Sequence, residues 1–246
     1  MNNKLSSPSV WVVIPAAGVG KRMKADRPKQ YLSLLGKTVI ENTLSCFSSV
    51  NNIAGIIVSL HPNDPYWSDI KLNLSIPLYT VDGGKERSNS VLNALKYMQN
   101  ELFVDDSHWV MVHDAARPCL LQEDIEKLIS SCVGLDVIGG ILAKKSSDTM
   151  KRSQLGKNEE SFIASTEDRE NLWHALTPQM FRLKELSDAL AYALDKNIVI
   201  TDEASALEAI GKSPLLVEAT GSNIKITNPD DLALAEFLLS NNKGNT

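Results

Sequence analysis

A mostly parallel α/β sheet with helices on both faces is the fold this sequence predicts, and three observations predict it. Short β-branched runs such as "VWVVIP" and "IAGIIVSL" alternate with segments whose apolar residues recur at helical intervals. The stretches between the runs are long enough for the helical crossovers that parallel strands need. The chain has 246 residues, enough for one large domain and short for two, so a single domain over residues 1–246 is expected.

The elements follow in order. "VWVVIP" (10–15) reads as a buried central strand ending in a turn. "TVIENTLSCF" reads as a helix, with Thr38 and Glu41 at capping-box spacing. "IAGIIVSL" (53–60) is a second strand, closed by "HPNDP", and "IPLYTVD" is a third, followed by Gly83, Gly84 and a helix over "SVLNALKYM". "WVMVHDAARP" gives a fourth strand stopped by Pro118, "EDIEKLISSC" a helix and "DVIGGILA" a fifth strand. From Lys144 the composition turns polar. There "TMKR" and "SFIAST" read as the two sides of a hairpin around "LGKNEE", a protruding arm at about 146–170. So polar a hairpin needs something to lie against, and a partner subunit would supply it. Beyond the arm, "KELSDALAYAL" and "TDEASALEAIG" read as helices, and "LLVEA" and "NIKIT" as short strands. "NPDDLALAEFLL" reads as a closing helix with Asn228 as N-cap and Pro229 in the first turn.

Composition narrows the function. Apolar residues make up 43% and charged residues 22%, as in a protein with an ordinary core. A net charge of −5 argues against a nucleic-acid coat or an anionic membrane surface, so an anionic ligand would need a local basic site. The opening "MNNKLSSPS" lacks the apolar core of a secretory signal, and no apolar run nears the roughly 20 residues that span a bilayer. Cys46, Cys119 and Cys132 form no Cys-x-x-Cys pair, and His61, His108, His113 and His174 have no metal-ligand spacing. Neither a disulfide framework nor a protein-built metal site is expected, and a cytoplasmic location is.

A local basic site is present. In "IPAAGVGKRMKADRPKQY" (14–31), Gly18 and Gly20 precede Lys21, Arg22, Lys24, Arg27 and Lys29. The stretch follows the first strand, at the edge where parallel sheets hold their ligands. It is not a Walker loop, and Met23 stands at the third glycine position of a dinucleotide fingerprint. What remains is a small-residue turn whose N–H groups can approach a nucleotide, followed by cations suited to a triphosphate. On spacing alone, a tight turn with a solvated charge run fits as well. Two further loops reach the same edge: "DGGKERSNSV", with Arg87, Ser88 and Ser90 opening a helix, and "VHDAARP", with Asp114 and Arg117. Each alone reads as an ordinary helix start or turn. Three together favour a ligand site.

The ordered set "IPAAGVGKRM…PKQY", "DGGKERSNSV", "VHDAARPC", "DTMKR", "LWHALTPQMF", "TDEASALE" and "NIKITNPDDLALAE" resembles the 2-C-methyl-D-erythritol 4-phosphate cytidylyltransferase family, from about Trp11 to about Leu239. The resemblance implies a nucleotidyltransferase-type, Rossmann-like α/β sheet and a homodimer whose arms embrace. It implies transfer of the cytidylyl group of CTP to methylerythritol phosphate, with release of pyrophosphate, in non-mevalonate isoprenoid synthesis. Magnesium or another divalent cation would be bound mainly through the CTP phosphates. No protein ligand for it stands out.

By the same resemblance Arg22, Lys29 and Lys225 are the catalytic cations, Arg22 and Lys29 on the triphosphate and Lys225 on the α-phosphate from across the cleft. Ala16, Ala17, Gly18, Gly84 and Ser90 would recognise cytosine and ribose, largely through backbone groups. Asp114 and Ala115 would lie near the ribose, Asp114 also facing the polyol, with Arg117 supporting the loop. The second substrate would meet Thr149 and Arg169 on the arm, serving the opposite subunit, and Thr177, Thr201 and Lys225 on the body. Lys85 departs from members that carry an acid after the glycine pair. Two other readings stand beside this one: a cytidylyltransferase acting on ribitol 5-phosphate, which would share the CTP half, and a non-catalytic nucleotide-binding module, which would be expected to lose Arg22, Lys29 or Lys225.

Overall fold

A computed structural model describes residues 9–18, 23, 26–135 and 137–242. Among them the chain forms β1 (Val10–Pro15), β2 (Ser33–Leu34), β3 (Lys37–Thr38), α1 (Val39–Ser45), β4 (Ile53–Leu60), β5 (Leu78–Asp82), α2 (Arg87–Asn100), β6 (Trp109–Val112), α3 (Gln122–Gly134), β7 (Gly139–Lys145), β8 (Lys151–Leu155), β9 (Ser161–Thr166), β10 (Trp173–Arg182), α4 (Leu183–Asp195), α5 (Glu203–Glu208), β11 (Leu215–Glu218) and α6 (Pro229–Asn242). Among these helices none is long and apolar enough to cross a membrane.

Seven strands form one sheet in the order β11-β7-β10-β6-β1-β4-β5. β10 runs antiparallel to both its neighbours, and every other pairing is parallel. Alternation along β1 sorts its side chains between two layers. Val10, Val12 and Ile14 pack with α1 and α3 residues such as Ile40, Leu44, Ile125 and Leu128 on one face. Val13 points the other way, into a layer with Val91, Leu95 and Met98 of α2 and Leu186 and Leu190 of α4. Both faces of β1 are thus covered, which is why its sequence is a continuous apolar run rather than an alternating one.

Local signals set most element boundaries. Thr38 caps α1: its Oγ1 accepts from Glu41 N–H at 3.3 Å, and Glu41 Oε2 accepts from Thr38 N–H at 2.6 Å. α6 opens at Pro229, and the Asp231 carboxylate reaches back to the Thr227 and Asn228 N–H groups at 2.7 and 2.8 Å. Two elements differ from expectation. "NIKIT" forms no strand: Asn223 has φ 27°, and the Ile226 N–H donates to the Ala116 carbonyl at 2.9 Å. The segment is therefore pinned to the loop after β6, away from the sheet. Conversely, "WHALTPQMFR" is a ten-residue strand, β10, which the sequence does not announce. Pro178 cannot donate to a ladder, and the register with β7 slips between Ala175 and Gln179.

The parallel strands all end at one edge, where the loops after β1, β4, β5, β6 and β11 gather. The excursion between β7 and β10 leaves from that edge too. Within it, β8 and β9 pair only with each other, and every residue of both strands is exposed. Leu155, Phe162 and Ile163 are 75%, 55% and 67% exposed, far more than apolar side chains of a packed hairpin. The base is clasped: Trp173 pairs with Lys145, the Ser146 N–H donates to the Leu172 carbonyl at 2.9 Å, and the Lys145 ammonium lies 5.3 Å from the Trp173 ring centroid.

Candidate active site

A cavity of about 280 Å3 opens at the carboxyl edge of the sheet. Its first wall is the turn after β1. The Ala16 N–H is held by the Ser59 carbonyl at 2.8 Å, and Gln30 Nε2 donates to the carbonyls of Ala16 and Gly18 at 2.7 and 3.2 Å. With those carbonyls tied down, the turn presents backbone and small side chains to the cavity through Pro15, Ala16, Ala17 and Gly18.

The facing wall is the loop after β5, and only glycine fits there. A Cβ on Gly83 would lie 2.4 Å from the Ala17 Cβ, and one on Gly84 would lie 2.2 Å from the Asn89 Cβ. Ser90 is buried beneath the loop. Its hydroxyl accepts from the Gly84 N–H at 3.0 Å and donates to the Glu86 carbonyl at 3.2 Å. It shapes the turn more than it offers a hydroxyl to a ligand.

The floor is a charge network centred on Asp114, just past β6. Asp114 Oδ1 accepts from Arg87 Nε at 3.1 Å, and Oδ2 accepts from Arg117 Nε at 3.1 Å and Lys225 Nζ at 2.9 Å. Burial alone would raise this carboxyl, but Arg87, Lys225 and Arg117 outweigh it and hold it well below the usual carboxylate range. Arg87 also forks onto Glu203, Nη1 to Oε1 at 2.5 Å and Nη2 to Oε2 at 3.0 Å. Burial pushes the Glu203 carboxyl up, and the Arg87 charge and hydrogen bonds pull against that rise.

Beneath the floor, His113 fixes the backbone. The Asp114 N–H donates to Thr177 Oγ1 at 3.1 Å, leaving the threonine proton for His113 Nδ1 at 3.0 Å. The other ring nitrogen, Nε2, then carries a hydrogen and donates to the Arg117 carbonyl at 3.0 Å. Burial lowers the His113 pKa to about 4, so the ring is neutral in this role. Arg117 Nη1 donates to the Asn223 carbonyl at 2.7 Å, and Asn223 Nδ2 to the Thr177 carbonyl at 2.6 Å. These bonds carry the 223–226 segment to the cavity. Lys29 Nζ donates to the Ile226 carbonyl at 2.7 Å, which ties Lys29 to the stretch that carries Lys225, and both lysines line the cavity.

The structure thus brings Ala16, Ala17, Gly18, Lys29, Gly84, Ser90, Asp114, Ala115 and Lys225 around a single cavity. Arg22 lies outside the described residues. Thr149, Arg169 and Thr201 are exposed and do not line the cavity. Arg169 donates to the Ser147 carbonyl at the arm base. Thr177 is buried, with its hydroxyl committed to His113 and Asp114. Sequence reasoning passed over Gln30 as a support of the turn and Arg87 as the hub of the floor. "PKQY" and "DGGKERSNSV" carried both residues, but their partners lie too far along the chain for spacing to show.

Four cations (Lys29, Lys85, Arg87, Lys225) and two carboxylates (Glu86, Asp114) line this cavity on a chain whose net charge is −5. The sign is reversed locally, as an anionic ligand requires. The sheet and this backbone-walled, cation-rich cavity define the class: an α/β enzyme of the nucleotidyltransferase type. The family model described as 2-C-methyl-D-erythritol 4-phosphate cytidylyltransferase matches residues 10–241, and the chain belongs to that family. A relative of that name from Vibrio parahaemolyticus is 51% identical over 94% of this chain and 96% of its own length. Another from Pseudomonas putida is 48% identical over 92% of this chain and 93% of its own. Among solved structures, the Francisella tularensis 2-C-methyl-D-erythritol 4-phosphate cytidylyltransferase superposes with a TM-score of 0.78 at 38% identity, covering 94% of this chain and 99% of that one. A crystal structure of 4-diphosphocytidyl-2C-methyl-D-erythritol synthase gives 0.79 at 33% identity with the same coverage.

Proposed function

We propose that this chain transfers the cytidylyl group of CTP to 2-C-methyl-D-erythritol 4-phosphate, giving 4-diphosphocytidyl-2-C-methyl-D-erythritol and pyrophosphate in the non-mevalonate route to isoprenoids. The observation that carries the reading is the cavity itself, which is lined by the Pro15–Gly18 turn and Gly84 together with Lys29 and Lys225. A phosphate oxygen of the polyol phosphate attacks the α-phosphorus of CTP in line, and the bond to the pyrophosphate oxygen breaks. The attacking monoester is already anionic at neutral pH, so no general base is needed. What the reaction needs is two mutually repelling anions held together and the charge of the transition state offset.

Lys29 and Arg22 would hold the triphosphate, and Lys225 the α-phosphate. Ala16, Ala17, Gly18 and Gly84 would read cytosine and ribose through the backbone, with Ser90 fixing the Gly84 turn. Asp114 and Ala115 would face the ribose. Both Asp114 oxygens already accept cationic donors, so the metal that suits this donor set is one ligated mainly by phosphate. Magnesium, or another divalent cation carried on CTP, would offset phosphate charge during the transfer.

We propose further that residues 1–246 act as one catalytic unit in a cytoplasmic homodimer, with no nucleic-acid or membrane partner. In that dimer the arm at about 146–170 lies against the partner and brings Thr149 and Arg169 to the partner's polyol phosphate. Thr201 would complete the substrate side of the body, and Thr177 would act by holding Asp114. The fully exposed hairpin with its uncovered Leu155, Phe162 and Ile163 supports this reading. The test is magnesium-dependent pyrophosphate release from CTP with methylerythritol phosphate and ribitol 5-phosphate side by side, the products identified by mass. Preference for ribitol 5-phosphate would overturn the substrate, and turnover of neither would overturn the reaction.

A further inference from the structure

We infer that Glu203 is a positioning residue for the transfer: by holding the fork of Arg87, it leaves one oxygen of Asp114 for Lys225. The inference rests on the reading of Asp114 and Lys225 given above and assigns a role to a carboxylate that does not line the cavity.

Glu203 is 1% exposed at the first position of α5, and both its oxygens are engaged by Arg87 Nη1 and Nη2. A guanidinium is planar, so with one hydrogen of each Nη committed to Glu203 it is held in orientation with its Nε side toward Asp114. That Nε meets Asp114 Oδ1, and Oδ2 is shared by Arg117 and Lys225. Three cations are thereby distributed over two carboxylates in one arrangement. Without the Glu203 charge, Arg87 would turn its fork to Asp114 and occupy both oxygens, the bidentate geometry that arginine favours. Lys225 would then lose its partner and its place beside the α-phosphate.

The backbone under Glu203 is built to hold it. Gln179 of β10 accepts from the Ala204 N–H through Oε1 at 2.9 Å and donates to Asp202 Oδ2 through Nε2 at 2.8 Å. Asp202 Oδ1 in turn accepts from the Ser205 N–H at 3.0 Å. A buried ion pair serving stability alone would need no third partner. Here the same guanidinium continues to the carboxylate at the centre of the site.

The experiment compares the full-length wild type with Glu203→Gln, Arg87→Gln and the double variant, reading melting temperature, kcat and the KM for each substrate. For folded Glu203→Gln we expect kcat to fall roughly 10- to 100-fold with the KM for CTP within about threefold of wild type. We expect the double variant to recover most of that loss, because removing the guanidinium returns Asp114 to Lys225. Wild-type kcat in Glu203→Gln, or a double variant no better than Glu203→Gln, overturns the inference. Should Glu203→Gln not fold, Glu203→Asp carries the test, since a carboxylate one methylene shorter cannot keep both Nη contacts with Arg87. It should lose kcat to a similar degree, and unchanged turnover overturns the inference. A wild type that turns over neither substrate overturns the underlying reading and this inference with it. An active wild type matched by the variants overturns this inference alone.

Discussion

The nucleotide side of the site and the arm are built on opposite principles. Around the cavity the supporting side chains of Gln30, Ser90, Asp114, Thr177 and His113 are buried, and their polar contacts run from turn to floor. In the arm every strand residue is exposed, and Thr149 and Arg169 stand outside the cavity of their own chain. One region is tied together by contacts within the described chain; the other is an exposed hairpin. On the proposed reading, a single chain shapes the CTP half alone, whereas the polyol-phosphate half would be completed between chains.

The largest effect should come from the cavity side. Lys29→Ala should cut kcat by about 10²- to 10³-fold while CTP still binds, because the lost charge matters most in the transition state. Pyrophosphate release and equilibrium CTP binding would check this, and a variant with near-normal turnover would place the critical charge elsewhere. Next comes the floor. Burial lowers the His113 pKa from 6.5 to about 4, so the unfolded chain binds the proton first as pH falls. Stability from this group is complete above pH 6.5 and declines toward pH 4, by about 3 kcal/mol in all. Urea midpoints across that window should show a shallower slope for His113→Gln than for wild type.

The arm can be probed by mixing. Arg169→Ala should lower kcat/KM for the polyol phosphate by roughly 10- to 100-fold with little change in the KM for CTP. Reassociating it with Lys29→Ala chains should restore about a quarter of wild-type activity, since half the dimers are mixed and each mixed dimer has one intact site. Restoration of nothing would mean that each arm serves its own chain. The smallest effect belongs to a feature remote from both regions. Thr38→Ala should cost about 1 kcal/mol of stability through loss of the α1 cap, with kcat unchanged.

The sequence was most legible where structure is local. The Thr38–Glu41 cap, the strand at 53–60 and the hairpin arms all follow from residues a few positions apart. It misled where a pattern was satisfied by something distant. "NIKIT" alternates like a strand, yet its bonds go to Ala116, Arg117 and Thr177, which spacing cannot reveal. β10 was obscured by Pro178 in its middle. Within the site, the glycine turn and Lys29 were readable because they follow a strand end, whereas Lys225 was reached only through the family resemblance. Arg87 was not readable, because its meaning depends on Glu203, 116 positions away.

The clasp at the base of the arm has a consequence for how such a protein can change over time. Since Lys145 and Trp173 are paired by the sheet itself, the two ends of the excursion are already closed, and lengthening or rewriting what lies between costs little loop-closure entropy. The arm can therefore drift, shorten or be exchanged while the register of β7 and β10 stays fixed. In the proposed dimer, assembly and chemistry would be separately heritable properties of one chain.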